Sequence, residues 1–247
     1  MGFMPANISS SPIYKRGQIE WALWRAFAPT TMGRSKEVPS VFRTRIKRLL
    51  ELDRSGDLFE MEVFPPAPFA FAESVSEGTG NDAAFSVFDA WCLGLALDLL
   101  DVGFKQKEVV FLMRFLRGGL ADRFEKILNS PPGGRSNLHP QDRPGCPIYR
   151  SDRGEVADCH VFLIIRKVEI REGLPGQNEF KPHRSKANSE APWFLEPIFC
   201  HGYDALRDQA TRMPQRFRKA MVIEVAQFAD DIRRFLEKAP DFRRGRQ

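Results

Sequence analysis

The sequence lacks the long apolar runs and the dense cysteine pattern that mark membrane proteins and disulfide-stabilised proteins. No apolar run approaches the roughly 20 residues that a membrane-spanning helix needs, and the stretch from Met1 to Gln18 has no apolar core typical of a signal peptide. Four cysteines at uneven spacing in 247 residues do not predict a disulfide framework. We therefore expect a cytoplasmic protein that contacts no membrane.

Common catalytic motifs are also missing. The chain has no glycine-rich phosphate-binding loop of either common type, and no G-x-S-x-G nucleophile motif. We therefore expect no enzymatic activity, no catalytic residue and no cofactor. A third hypothesis stays open, in which an enzyme site in the C-terminal part gathers Cys200, His201 and Glu224, since Glu224 lies in an apolar segment where its pKa would be perturbed.

A zinc site has little support in the spacing of the cysteines and histidines. Structural zinc sites usually contain close C-x2–4-C pairs, whereas the candidates here are Cys146, Cys159-His160 and Cys200-His201. Adjacent residues of a strand point to opposite faces, although two strands could still bring Cys159 beside Cys200. We expect buried structural cysteines and no metal.

The clearest pattern in the chain runs from Phe85 to Leu128. Its first half carries apolar residues at helical spacing, namely Phe85, Phe88, Trp91, Cys92, Leu95, Leu99 and Leu100. Gly103 fits a helix C-cap, and a second helix is expected to begin near Lys105, with Gly118-Gly119 breaking or kinking it. The segment is predicted to form a helical hairpin within a core.

This segment resembles the second half of the DNA-binding domain of MerR-family transcription regulators. The resemblance covers about 30 residues and rests on the order of Phe85, Asp89, Gly103-Phe104, Glu108-Val109 and Leu112-Met113. It implies a winged-helix fold. The family usually has Tyr at the position of Phe85 and an Arg shortly before it, whereas this chain has Phe85 and Ala83. The resemblance therefore implies a local fold and assigns no DNA-contacting residue.

Charge is distributed unevenly along the chain, whose net charge is +5. Tyr14 to Arg54 contains ten Lys or Arg and four Asp or Glu, whereas Ser55 to Ser130 contains six basic and twelve acidic residues. A basic unit beside an acidic hairpin suggests a face for a polyanion. Electrostatic pairing of the two units within one domain explains the asymmetry equally well.

A basic helix is predicted to start near Pro39-Ser40. Its predicted inner face consists of Val41, Phe42, Ile46, Leu49 and Leu50, which leaves Arg43, Arg45, Lys47 and Arg48 facing outward. A helix with four cations fits the major groove of DNA, and Arg reads guanine with two hydrogen bonds. Lys15 and Arg16, on a preceding amphipathic helix, complete the predicted DNA-binding set. A solvated basic helix face is the plainer interpretation.

The predicted fold class is α+β, with a mainly helical N-terminal domain followed by a smaller α/β domain. Pro, Gly and charged residues in 130–157 indicate a linker there. The predicted organisation is a flexible N-terminus at 1–13, a helical DNA-binding domain at 14–129, the linker at 130–157, an α/β domain at 158–240 and a basic tail at 241–247. Strands are expected near Cys159–Ile170, Trp193–Cys200 and Ala220–Val225, although this last segment is also compatible with the start of a long helix.

These patterns favour a DNA-binding transcriptional regulator of bacterial type, with duplex DNA as its partner and a homodimer as an open alternative. The runner-up is a non-enzymatic adaptor whose acidic hairpin or C-terminal sheet binds another protein. Binding of single-stranded nucleic acid by Trp21, Trp24 and Trp91 is a further alternative, although aromatic residues at helical spacing are more typical of a core.

Overall fold

The structure of the chain is a computed structural model. It describes residues 12–28, 37–55, 67–73, 84–129, 148–151, 154–158, 160–168, 193–194, 197–212 and 220–241. Most of the predicted flexible N-terminus and basic tail lies outside these residues, as does most of the Pro-rich stretch before the central hairpin.

The described residues contain six helices and nine short strands. The helices are α1 (Arg16–Phe27), α2 (Ser40–Ser55), α3 (Val87–Asp101), α4 (Gln106–Asn129), α5 (Gly202–Arg212) and α6 (Ala226–Glu237). The strands are β1 (Tyr14–Lys15), β2 (Ala84–Phe85), β3 (Ile148–Ser151), β4 (Gly154–Ala157), β5 (Val161–Ile165), β6 (Lys167–Val168), β7 (Trp193–Phe194), β8 (Ile198–His201) and β9 (Met221–Glu224). This mixture of helix and sheet is broadly α+β, and the coarse fold class is confirmed.

The predicted helical hairpin is present as α3 and α4. Ser86 begins α3 with a capping box: its hydroxyl accepts from the Asp89 amide at 3.1 Å, and the Asp89 carboxylate accepts from the Ser86 amide at 2.9 Å. Gly103 ends the helix at a φ of 95°, as predicted. The amides of Gly103 and Phe104 then donate to the carbonyls of Leu100 and Leu99, which closes α3.

Three local predictions were wrong. Gly118-Gly119 does not interrupt α4, which is continuous from Gln106 to Asn129. Val41, predicted to face inward, is 69% exposed, because the helical period places it on the side of α2 opposite the buried Leu50. Residues 148–157, predicted as part of a linker, contain the antiparallel pair β3–β4, because the β-branched and aromatic residues there favour strand pairing over an extended linker. Residues 131–147 lie outside the described part of the chain.

The N-terminal strand is tied to the entry of the central hairpin. β1 and β2 pair antiparallel, with Tyr14 opposite Phe85 and Lys15 opposite Ala84, and the side chains of Tyr14 and Phe85 are buried. This pairing places α1 beside α3. The amphipathic helix predicted to carry Lys15 and Arg16 therefore begins at Arg16, and Lys15 lies in the strand before it.

The C-terminal residues form a three-stranded antiparallel sheet in the order β8-β5-β9. Val161, Leu163 and Ile165 on one face of β5 belong to the main hydrophobic core, whereas Phe162 and Ile164 on the other face pack with Cys200 beneath α5. The alternation of side chains along a strand explains this division. Because both faces of β5 are covered, the strand consists almost entirely of apolar residues.

One hydrophobic core joins the N-terminal helices to the C-terminal sheet. Helix α6 packs against α1, α3 and α4, and its buried Ile232 and Leu236 belong to the same cluster as Trp91 and Leu95 of α3. The residues on the two sides of the predicted linker therefore share a core. None of the described helices has the length and apolar composition needed to cross a membrane.

Candidate nucleic-acid interface

The outward side of α2 carries the four cations predicted from the sequence. Arg43, Arg45, Lys47 and Arg48 are all exposed, and we call them the α2 basic face. The opposite side of the helix buries Ile46, Leu49, Leu50 and Asp53. The helical period thus separates the cations from the core contacts, as the sequence predicted.

The cations are distributed around the exposed side and do not form a single line. At about 3.6 residues per turn, Arg48 lies near the middle of that side, close to Thr44 and Val41, whereas Arg43 and Arg45 lie on its two flanks. The Thr44 hydroxyl donates to the Ser40 carbonyl at 2.8 Å. The exposed side therefore presents a central arginine between two lateral arginines.

Three members of the α2 basic face form ion pairs with carboxylates of the protein. Arg43 Nε lies 3.8 Å from Glu20 Oε2 of α1, and Arg45 Nη1 lies 2.5 Å from Asp101 Oδ1 at the end of α3. Lys47 Nζ lies 3.5 Å from Glu51 Oε1 one turn along α2. The three cationic side chains remain about half exposed, and Arg48 forms no ion pair with any other residue that the structure describes.

Of the two predicted contact residues outside α2, Arg16 lies beside the α2 basic face and Lys15 lies away from it. Arg16 Nε lies 2.7 Å from Glu20 Oε1, so that Glu20 stands between Arg16 and Arg43 and joins α1 to α2. Lys15 Nζ lies 4.0 Å from Asp241, beyond the end of α6. The structure thus brings Arg16 next to the α2 basic face through a shared carboxylate, and directs Lys15 toward the C-terminal segment.

A buried ion pair that the sequence did not reveal fixes the last turns of α2. Arg114 Nε of α4 donates to Asp53 Oδ1 at 2.8 Å, and a second guanidinium nitrogen donates to the Asp53 carbonyl. The same carboxylate accepts from the amides of Ala70 at 2.9 Å and Phe71 at 3.1 Å. Both charged side chains are less than one-tenth exposed. Asp53 and Arg114 are far apart in sequence, so only the three-dimensional structure identifies them as partners.

A second buried pair lies one turn further along α4. Arg117 Nη2 donates to Asp89 Oδ1 at 2.6 Å, Nη1 donates to the Ala70 carbonyl at 2.8 Å, and the guanidinium lies 4.9 Å from the centre of the Phe88 ring. Together the two arginines of α4 hold the segment around Ala70 against α2 and α3. Burial raises the pKa of the neighbouring Cys92 thiol far above its ordinary value, which leaves that cysteine protonated and unreactive.

The C-terminal enzyme site proposed from the sequence is not assembled in the expected form. Cys200 and Glu224 lie on either side of Phe162, in the flanking strands, and His201 points to the opposite face from Cys200. Cys200 is buried, and burial raises the pKa of its thiol. These three residues therefore do not form a nucleophile, base and orienting group in contact with one another.

Glu224 instead pairs with His160, which from the sequence was a candidate only for zinc. His160 Nδ1 lies 3.6 Å from Glu224 Oε1, and this carboxylate raises the pKa of His160, while burial acts in the opposite direction. Glu224 also accepts from the first amides of α6, at 3.1 Å from Ala226 and 2.8 Å from Gln227. The adjacent Asp158 accepts from the Tyr203 amide at the start of α5.

This cluster serves the fold. Each of its two carboxylates lies at the N-terminus of a helix, where the unpaired amides and the helix dipole favour a negative charge. The His160 ring packs edge-on against Tyr203, with ring centres 4.9 Å apart, and stacks on Phe162 at 5.7 Å. Among the described residues, no group of three or more His, Cys, Asp or Glu side chains is arranged to hold a metal ion. Cys146 and Cys159, two of the candidate ligands, lie outside those residues.

Comparisons with known proteins yield no relative for this chain. No protein-family model matches it, and neither the curated proteins nor the solved structures contain a match. Inference about function therefore rests on the chemistry of the surfaces and clusters described above.

Proposed function

We propose that the protein is a DNA-binding transcriptional regulator of bacterial type that contacts duplex DNA through the α2 basic face. The observation that carries this proposal is the exposure of four cations around one side of a 16-residue helix. The opposite side of that helix is anchored by the buried pair Asp53–Arg114. A firmly held helix with an exposed cationic side suits insertion into a groove lined by phosphates.

The placement of the arginines suggests how the contacts are divided. The major groove of B-DNA admits an α-helix, and its phosphates lie along both rims. Arg43 and Arg45, on the two flanks of α2, would contact the two phosphate backbones. Arg48 and Val41, near the middle, would contact base edges, since arginine pairs with guanine and an apolar side chain contacts the thymine methyl group.

The MerR-like resemblance supports the same proposal. A winged-helix domain of that family has the central hairpin after its wing, and here α3, the Gly103-Phe104 turn and α4 follow β2, which pairs with the N-terminal strand. Residues 14–129 would then be the DNA-binding domain. Residues 158–240 would serve to form a homodimer or to sense an effector. Lys15 and Arg16 would add phosphate contacts beside α2.

The direct test measures duplex DNA binding by fluorescence anisotropy across a salt series. We expect affinity to fall steeply with salt and to persist better for one sequence than for bulk DNA. The double variant Arg43→Glu/Lys47→Glu should weaken binding by at least about tenfold and flatten the salt dependence. The matched control is Arg207→Glu/Arg234→Glu, which reverses two exposed arginines of α5 and α6 that likewise pair with carboxylates, in their case aspartates on their own helices.

Failure of the wild-type protein to bind DNA at low salt would reject the proposal. The second candidate is a protein-interaction adaptor, in which the cations of α2 serve the fold through the three ion pairs that they make with carboxylates of the protein. For an adaptor that binds through its acidic hairpin or C-terminal sheet, a pull-down should recover the same partner with the wild type and with the Arg43→Glu/Lys47→Glu variant.

A further inference from the structure

The contact between Arg45 and Asp101 joins the α2 basic face to the C-terminal end of α3. The side chains are 48% and 54% exposed, and the contact uses one nitrogen of the guanidinium and one oxygen of the carboxylate. It is therefore a single-point, solvent-accessible ion pair. Pairs of this kind contribute little to stability and exchange partners readily.

The position of Asp101 is unfavourable for the helix that contains it. The carbonyl end of a helix carries a partial negative charge, so a carboxylate in the last turn is repelled. The last turn of α3 holds no basic residue, and Asp98 lies one turn before Asp101. Burial, followed by the charge of Asp101, raises the pKa of Asp98 to about 6. Negative charge is thus concentrated at the C-terminal end of α3, beside one flank of α2. This charge destabilises the end of α3, so the stability of that helix does not explain it.

A carboxylate also occupies the other flank. Glu20 is buried and lies between Arg16 and Arg43, so it is held by the fold as well as by Arg43. Asp101 differs because it is exposed and Arg45 is its one ion-pair partner among the described residues. Of the two carboxylates that pair with arginines of the α2 basic face, Asp101 is therefore the one that a phosphate could displace with the least change elsewhere in the structure.

We propose that Asp101 competes with the phosphate backbone for Arg45 and thereby sets the affinity and salt dependence of DNA binding. This inference rests on the proposed function. A guanidinium binds phosphate through two parallel hydrogen bonds, and Arg45 must release Asp101 to present both. The Asp101 carboxylate occupies Arg45 in place of a phosphate, and it therefore lowers the affinity for all DNA sequences alike. Discrimination between DNA sequences would come from the residues near the middle of the exposed side of α2.

The test compares the wild type with Asp101→Asn by fluorescence anisotropy on a labelled duplex. Asparagine keeps the size and the hydrogen-bond acceptor and removes the charge. We expect Kd to fall by about two- to fivefold at low salt. The plot of log Kd against log salt concentration should become steeper by about one unit, which corresponds to one additional released counterion. The control is Asp204→Asn on α5, which removes the same charge from an exposed pair, with Arg207 at 3.0 Å, and should leave Kd nearly unchanged.

A double-mutant cycle separates competition from general repulsion. If Asp101 acts through Arg45, Asp101→Asn should strengthen binding in the wild-type background and have little effect in the Arg45→Ala background. An equal increase in DNA affinity in both backgrounds would reject competition for Arg45, because it would show that Asp101 acts only by repelling the negatively charged DNA. Weaker or unchanged binding by Asp101→Asn would also reject it, the weaker case indicating that Asp101 orients Arg45 for DNA.

These results are distinguishable from failure of the proposed function. If the wild-type protein does not bind duplex DNA at low salt, the proposed function is wrong and the inference falls with it. If the wild type binds and only the response to Asp101→Asn is missing, the inference alone is wrong. Thermal unfolding followed by circular dichroism establishes that each variant is folded at the temperature of the binding measurement.

Discussion

The indole nitrogen of Trp91 donates to the backbone carbonyl of Val225 at 3.2 Å. Trp91 lies in the second turn of α3, and Val225 is the residue immediately before α6. Both are fully buried, and the Trp91 ring packs against Phe124 of α4, with ring centres 5.0 Å apart. The contact therefore fixes the start of the C-terminal helix against the central hairpin.

A close approach between α3 and α6 occurs at Gly94, one turn after Trp91. A Cβ atom there would overlap the ring of Phe228 in α6 and lie 3.1 Å from Leu23 of α1. At Gly118, in the middle of α4, a Cβ would meet nothing within 4 Å. We expect Gly94→Ala to destabilise the protein by about 1–3 kcal/mol through overpacking, whereas Gly118→Ala should stabilise it by about 0.5–1 kcal/mol through helix propensity.

Denaturant unfolding of the two glycine variants measures this difference. The chemical change is identical and both sites are inside helices, so each variant serves as the control for the other. A Gly94→Ala variant as stable as Gly118→Ala would show that Phe228 can move aside freely, and that α6 is less firmly packed than the structure indicates.

The buried carboxylate of Asp53 is expected to be among the most sensitive polar groups of the fold. Replacement by alanine leaves Arg114 charged and buried without its partner, and leaves the amides of Ala70 and Phe71 without an acceptor. The expected loss is about 3–5 kcal/mol. The control, Asp204→Ala, breaks an exposed pair with Arg207 and should change the unfolding free energy by less than about 1 kcal/mol.

An apolar replacement of the whole pair distinguishes the two functions of Asp53. Many buried ion pairs can be replaced by hydrophobic residues without loss, but the double variant Asp53→Leu/Arg114→Met still leaves two backbone amides unsatisfied. We therefore expect it to remain less stable than the wild type in urea unfolding. Wild-type stability in the double variant would mean that the amide contacts contribute nothing measurable.

The pair His160–Glu224 should make stability depend on pH. Because Glu224 raises the pKa of His160 above its ordinary value of 6.5, the stabilisation is fully present below that value and is lost as pH rises through the pKa of the folded state. His160→Gln should therefore lower the melting temperature more at about pH 6 than at about pH 9.

Glu224→Gln provides the matched comparison, because the amide oxygen can still accept from the first amides of α6 while the charge is removed. In that background the pH-dependent part of the His160→Gln effect should shrink. Equal losses at both pH values would show that the charge on His160 contributes nothing and that its ring packing against Tyr203 accounts for the loss. An undiminished pH-dependent effect in the Glu224→Gln background would show that another carboxylate, such as Asp158, stabilises the charged His160 instead.

Asp98 should also make stability fall as pH rises, over a more acidic range than His160. Its pKa is raised from 3.8 to about 6 in the folded protein by burial and then by Asp101, so the folded state disfavours its charge and stability falls as pH rises from 3.8 through 6. Asp98→Asn should stabilise the protein by about 1 kcal/mol near pH 8, after allowance for the partial exposure of the group. Melting curves near pH 4 should show no gain, and a gain of equal size at both pH values would contradict this explanation.

Local patterns identified the helices well. The apolar spacing of α3 and α4, the C-cap at Gly103 and the start of α2 at Ser40 were all predicted correctly, because these features depend on residues within one or two turns of each other. Local patterns also predicted that Arg43, Arg45, Lys47 and Arg48 face outward. The same approach misplaced Val41, because its apolar side chain was assigned to the inner face although the helical period places it opposite the buried Leu50.

The sequence by itself determined the mixed helical and sheet composition, the helical hairpin at its centre and the cationic side of α2. Only the tertiary structure decided the partners of the charged groups: Asp53 with Arg114, Glu224 with His160 and Arg45 with Asp101. It also decided that α6 joins the N-terminal helices in one core. Helix formation depends on residues that are close together along the chain. Ion pairs and core contacts depend on which distant segments pack together, and a single sequence carries little information about such tertiary contacts.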